Sequence, residues 1–181
     1  AGVDFNAGAN AIVELARQIA RIAAFTDLNK GLTVNPGIVR GGTRTNVVPD
    51  EAEVQVDIRV ARLRDAAAIG RKFGALRPVD RRCRIEVAGG LNRPPMERSR
   101  AVAALFRTAE RIAREKLGVA LEESSTGGGS DGNFTAALGV PTLDGLGGVG
   151  EGAHALHESI LTEPAPLRVA LLAHLVRHLG Q

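Results

Sequence analysis

The chain has 181 residues, an apolar fraction of 44%, a charged fraction of 24% and a net charge of +3, a balance that excludes long disorder and fits one ordinary domain or two small ones. Twenty arginines against three lysines make it mildly basic, but they are spread along the chain and Trp and Tyr are absent, so the basic blocks and stacking residues of nucleic-acid binders are missing and no nucleic acid is expected as a partner. A single cysteine excludes an internal disulfide framework, no apolar run approaches the roughly 18–20 residues of a membrane span, and AGVDFNAGAN has no signal-peptide pattern; a soluble, cytoplasmic chain that makes no membrane contact is expected.

The first predicted element is a helix from about Ala9 to Phe25, with Ile12, Leu15, Ala16, Ile19, Ile22 and Ala23 at the three-to-four spacing of one buried face. Leu32, Val34, Ile38 and Val39 then form a strand interrupted by Pro36 and Gly37. After a loop of about ten residues, Ala52, Val54, Val56, Ile58 and Val60 alternate with polar residues, the period-two pattern of a strand with one face buried. A second helix is predicted over 64–76 (Ala67, Ala68, Phe73, Leu76), ended by Pro78, and CRIEVAGG is read as a short strand in which Cys83 is a small buried hydrophobe. The order helix, strand, strand, helix, strand is a split βαββαβ unit without its first strand, so the chain is expected to start inside a domain.

GGLNRPPMERS marks a boundary, with Ser99 as N-cap of a helix over 100–117 that buries Val102, Leu105, Phe106, Ala109, Ile112 and Ala113 and stops at Gly118. A strand over Val119–Glu122, a short helix Asn133–Leu138, a strand-like SIL at 159–161 and a final helix follow. In that helix Leu172, Leu175, Val176 and Leu179 are placed on the buried face. The alternation of helix and strand assigns this second segment to an α/β layer.

Two motifs carry possible chemistry. TGGGSDGNF places three glycines, Ser130 and Asp131 before the short helix; glycines allow close approach to a ligand, while Ser130 or Asp131 could equally be a plain helix cap. It lacks the lysine and spacing of a phosphate-binding P-loop. VGEGAHALHE offers His154, His157 and Glu158, residue types that bind zinc, but spacing alone does not separate the two histidines, and zinc needs three or four convergent ligands. His174 and His178, four apart on the last helix, are read as a solvated face. Arg59 and Arg93 could each grip a carboxylate or be surface charges, and Asn46 could be a turn residue.

Together AGVDFNAGANAIVELA, GGTRTNVVPDEAEVQVDIR, TGGGSDGNF and LGGVGEGAHALHE resemble the zinc-dependent aminoacylase and glutamate carboxypeptidase superfamily of metallopeptidases, which includes acetylornithine and succinyl-diaminopimelate deacylases. The resemblance implies an α/β catalytic domain holding two zinc ions, with cobalt or manganese as alternatives, and an inserted lid that makes a homodimer. Residues 1–95 are then the α+β lid without its first strand, and 96–181 the closing portion of the catalytic domain. The reaction implied is cleavage of the amide bond of an N-acyl amino acid or of a C-terminal residue such as glutamate.

The same resemblance makes His154 a metal ligand and Glu158 a structural or supporting group behind it. It makes Asn46 a substrate-binding residue across the dimer, Arg93 the grip on the substrate α-carboxylate, and Gly128 and Gly129 part of the pocket-lining backbone. The other ligands and the general base are expected before residue 1, so the segment in hand contains no catalytic residue. Taken alone it is expected to be inactive, and a non-catalytic dimerisation module is the competing reading.

Overall fold

The computed structural model describes residues 5–180. They divide into two compact units, split between Pro95 and Met96 at the Pro-rich stretch that follows Arg93.

The first unit is built on α1 (Ala11–Ala23), the antiparallel hairpin β1 (Thr33–Gly41) and β2 (Ala52–Arg59), and α2 (Leu63–Gly74). Asn10 caps α1 by accepting from Val13 N at 3.1 Å. Pro36 does not interrupt β1: the register shifts between Pro36 and Ile38, and a bulge absorbs Gly37 in the kind of place where a strand tolerates proline. The half-buried face of β2 is the alternating set from Ala52 to Ile58. Leu32, Val34 and Ile69 form the core, with Phe25, Val56, Ile58, Val60 and Phe73 around them. Phe25 and Phe73 meet edge to face at 5.8 Å, with the Lys72 ammonium 5.0 Å from the Phe25 ring centre.

The face that α1 buries matches the predicted one only in part, with Leu15 and Ile19 half-buried as expected. Glu14, Gln18 and Ile22 are buried, whereas Ile12, Ala16 and Ala23 are exposed. The reason is a clamp on residues 77–80 after α2. The Glu14 carboxylate accepts from the backbone N–H groups of Val79 and Asp80, both at 2.9 Å, and Gln18 Nε2 donates to Glu14 at 2.6 Å and to Arg77 O at 3.1 Å. Arg21 Nη1 also donates to Arg77 O, at 2.9 Å.

The predicted strand at CRIEVAGG is not a ladder element. Cys83 and Ile85 are half-buried and Arg84 and Glu86 exposed, so the alternation persists, but no described strand lies beside it to pair with. Burial, helped by the Asp80 and Glu14 charges, pushes the Cys83 thiol up, which keeps it protonated and a poor nucleophile.

In the second unit α3 (Arg100–Ile112) continues into one π-helical turn, Ala113–Leu117, and stops at Gly118, whose φ of 68° is the left-handed C-cap conformation. Ser99 caps α3 through a 3.1 Å bond from Val102 N, and Ser99→Ala is expected to lower the thermal stability of this unit by about 1 kcal/mol, the usual worth of such a cap. Arg98 fixes residue 123 beside the helix start by a two-pronged pairing with Glu123, both contacts at 2.8 Å.

α4 (Gly132–Ala137), the short antiparallel pair β3 (Val149–Glu151) and β4 (Ser159–Leu161), and α5 (Ala165–Leu179) complete the unit. Residues 119–122 form no strand; Val119 and Leu121 instead pack from an irregular segment on the core of Ala109, Ile112, Ala113, Leu171 and Leu175. α5 is turned relative to expectation. Leu171 and Leu175 are its buried residues and His174 is half-buried beside them, while Leu172 and Leu179 face outward and Val176 is 70% exposed. His178 is exposed and lies 3.4 Å from Arg111.

Candidate metal loop at the tip of a hairpin

β3 and β4 pair in register from Val149 opposite Leu161 to Glu151 opposite Ser159, so residues 152–158 close a hairpin. The stretch leading into it, GLGG at 145–148, is too rich in glycine to hold a shape by itself. Two anchors hold it. Leu143 and Leu146 pack on the α3–α5 core, and Arg168 of α5 donates from Nε to Gly147 O at 2.9 Å and from Nη2 to Gly145 O at 2.6 Å. Arg168 is a positioning residue that sequence reasoning missed; the signal was its place on the same helical face as Leu171 and Leu175, three and seven residues on.

Within the loop, Ala155 N donates to Gly152 O at 2.8 Å, closing a four-residue turn with His154 in third place. His154 has φ 67°, alone among the described non-glycine residues in having positive φ. This is where a type II turn normally takes Gly or Asn, so an imidazole here carries a strain cost of about 1–3 kcal/mol. Glu158 closes the loop from the other side: its backbone N–H donates to Ala155 O at 3.0 Å, and its carboxylate accepts from His154 N at 3.2 Å.

Gly152 has φ 71°, and a Cβ there would stand 2.8 Å from the His157 ring. The geometry therefore distinguishes the two histidines. Both are exposed; His157 has its ring against the Gly152 backbone, whereas His154 sits at the strained turn.

Of the other sequence-predicted residues, Asn46, Arg93, Gly128 and Gly129 lie on exposed irregular segments. Asn46 is in the β1–β2 loop, as the third residue of the turn closed by Val47 N on Arg44 O at 3.3 Å. Arg93 is exposed at the end of the first unit. Gly128 and Gly129 are exposed in the second, with Gly128 N donating to Thr126 Oγ1 at 3.2 Å. Arg59 pairs with Asp57 of its own strand at 2.9 Å. Asp131 stands at the N-cap of α4 without a side-chain cap bond; Ser130 Oγ, one residue earlier, accepts from Gly132 N at 3.1 Å, and Asn133 Oδ1 accepts from Ser130 N at 2.8 Å.

Among the described residues no three His, Cys, Asp or Glu side chains converge to hold a metal ion. The donor set fits one imidazole of a larger zinc site rather than a whole one, since zinc takes three or four ligands. Nor is any described helix long and apolar enough to cross a membrane.

Residues 1–76 match the family described as the peptidase dimerisation domain. Over 189 aligned residues the chain is 28% identical to Carboxypeptidase G2 of Pseudomonas sp. (strain RS-16), an alignment covering 99% of this chain and 44% of that protein. The chain thus spans less than half the length of the curated relative it matches, and the two matches support a relation to the glutamate carboxypeptidase superfamily of peptidases.

Proposed function

We propose that this chain is the later part of a di-zinc metallohydrolase that cleaves the amide bond of an N-acyl amino acid or of a C-terminal residue such as glutamate, in the cytoplasm. The observation that carries the reading is His154, an exposed imidazole kept in a left-handed turn by its own loop; strain of this sort persists where a side chain's direction matters. His154 would hold one of the ions. When bound, zinc, or cobalt or manganese in its place, supplies a Lewis acid for the amide carbonyl and a water acidic near neutrality.

The roles of the remaining residues follow from their chemistry. The Arg93 guanidinium suits a bidentate grip on a substrate carboxylate, Asn46 offers both donor and acceptor, and the Gly128–Gly129 backbone lets a substrate approach closely. The homodimer is proposed to form through the first unit. Its support is the dimerisation-domain match together with the outward turn of Ile12 and Val13 on α1, which leaves apolar surface for a second copy to cover.

The test is hydrolysis of an N-acyl glutamate by the full-length polypeptide. Activity is expected to vanish on chelation and to return with zinc; full activity in demonstrably metal-free protein would contradict the proposal. For these 181 residues alone, the dimerisation-domain match over residues 1–76 supports a second reading, a dimerisation module without activity.

A further inference from the structure

The His154–Glu158 pair invites an obvious arrangement, a carboxylate orienting an imidazole through a ring nitrogen. The structure has a different one. Glu158 reaches back four residues to the backbone N–H of His154, and the ring is not its partner. Three further contacts close the same loop: Ala155 N on Gly152 O, Glu158 N on Ala155 O, and the His157 ring against the Gly152 backbone. Backbone bonds alone would let a non-glycine third residue relax towards negative φ, because a left-handed imidazole-bearing residue is the costly conformer. The Glu158 carboxylate bonds the amide of the strained residue itself.

We propose that Glu158 is a positioning residue that keeps His154 in its left-handed backbone conformation, and so aims the imidazole, by accepting the His154 N–H. The proposal rests on the reading of His154 as a metal ligand. It distinguishes Glu158 from a group that tunes ring basicity: what matters is an acceptor oxygen at this distance, and the negative charge is secondary. Glutamine, which keeps one carbonyl oxygen, can therefore replace glutamate, whereas alanine cannot.

Three variants of the metal-loaded full-length protein test it, Glu158→Ala, Glu158→Gln and His154→Gly, read by zinc affinity in competition with a chelator and by hydrogen exchange of the His154 amide. Glu158→Ala should weaken zinc binding about ten- to hundredfold, as losses behind a metal ligand do, and speed exchange of that amide about tenfold, the effect of one hydrogen bond. Glu158→Gln should restore both. If Glu158→Ala changes neither while His154→Gly abolishes binding at one zinc site, the positioning role is overturned and the ligand stands. If Glu158→Gln is as impaired as Glu158→Ala, a charge effect on the metal replaces it. If His154→Gly keeps full zinc affinity, the ligand reading fails and this proposal with it.

Discussion

His154→Gly is expected to leave folding stability within about 1 kcal/mol of wild type while lowering kcat/KM of the full-length enzyme by more than about a hundredfold. The first half follows from the backbone. At φ 67° a histidine is strained, and glycine adopts that conformation freely. The gain is offset by the larger conformational entropy that glycine has in the unfolded chain, about 0.4–1 kcal/mol. The exposed ring contributes little packing, so little else is lost. The second half follows from the proposed ligand role, since groups standing behind a metal ligand already cost about ten- to hundredfold. Urea unfolding of the variant beside its steady-state kinetics checks both halves. A variant that is stable and fully active removes His154 from the metal site, and one that is strongly destabilised means the ring packs in a way its exposure does not indicate.

Glu14→Ala carries the other large effect, on stability, and should cost about 2–4 kcal/mol. It removes the acceptor of the part-buried Val79 and Asp80 N–H groups at the α1 clamp, and a hydrogen bond to a charged group is worth about 1.5–3 kcal/mol. Glu14→Gln keeps one acceptor oxygen without the charge and should lose about half as much. The pH dependence has a definite sign. Burial by itself would raise the Glu14 pKa, but hydrogen bonds from Asp80, Val79 and Gln18 with the nearby Arg17 charge outweigh it and hold the carboxyl below its ordinary 4.5. A carboxyl depressed in the folded state stabilises fully above its unfolded pKa and loses that contribution as pH falls through the folded value.

Asp80, held at about 2 chiefly by its hydrogen bonds with Arg82, behaves the same way from 3.8 downward. Stability of the first unit should therefore fall as pH drops below about 4.5, and Glu14→Ala should flatten the upper part of that decline. Thermal melts of both proteins between pH 6 and pH 2.5 measure this; parallel curves would show that the clamp contributes no proton linkage.

How much of this was legible in the sequence depends on whether the cause was local. Caps and stops are local, and Asn10, Ser99 and Gly118 end their helices within a residue or two of where hydrophobic period and cap residues place them. The alternation of β2 is local too, and its half-buried face is the predicted one.

The choice of buried face on α1 was not local. Glu14 is buried because amides 65 and 66 residues away bond to it, and no pattern within the helix announces them. On α5, leucines and valines occur on both sides, so periodicity offered two stripes and the packing on α3 chose the one with Leu171 and Leu175. The strand expected at residues 83–90 alternates only from Cys83 to Glu86 and pairs with no described strand, and pairing belongs to the sheet rather than to a segment.

The candidate site divides along the same line. Composition and spacing found VGEGAHALHE and left His154 and His157 equal as zinc ligands; resemblance favoured His154. The structure adds a physical distinction that neither supplied, a left-handed backbone under one histidine and a glycine against the ring of the other. Arg168, holding the preceding glycines from another element, lay outside any local motif.

The central claim, that His154 is one ligand of a two-zinc hydrolase, is tested most directly by counting metal. Zinc per polypeptide, measured by atomic absorption on full-length wild type and His154→Gly after exhaustive dialysis, should be about two in wild type and about one or fewer in the variant, following the usual need of zinc for three or four ligands. Equal zinc in both, with both folded, would contradict it.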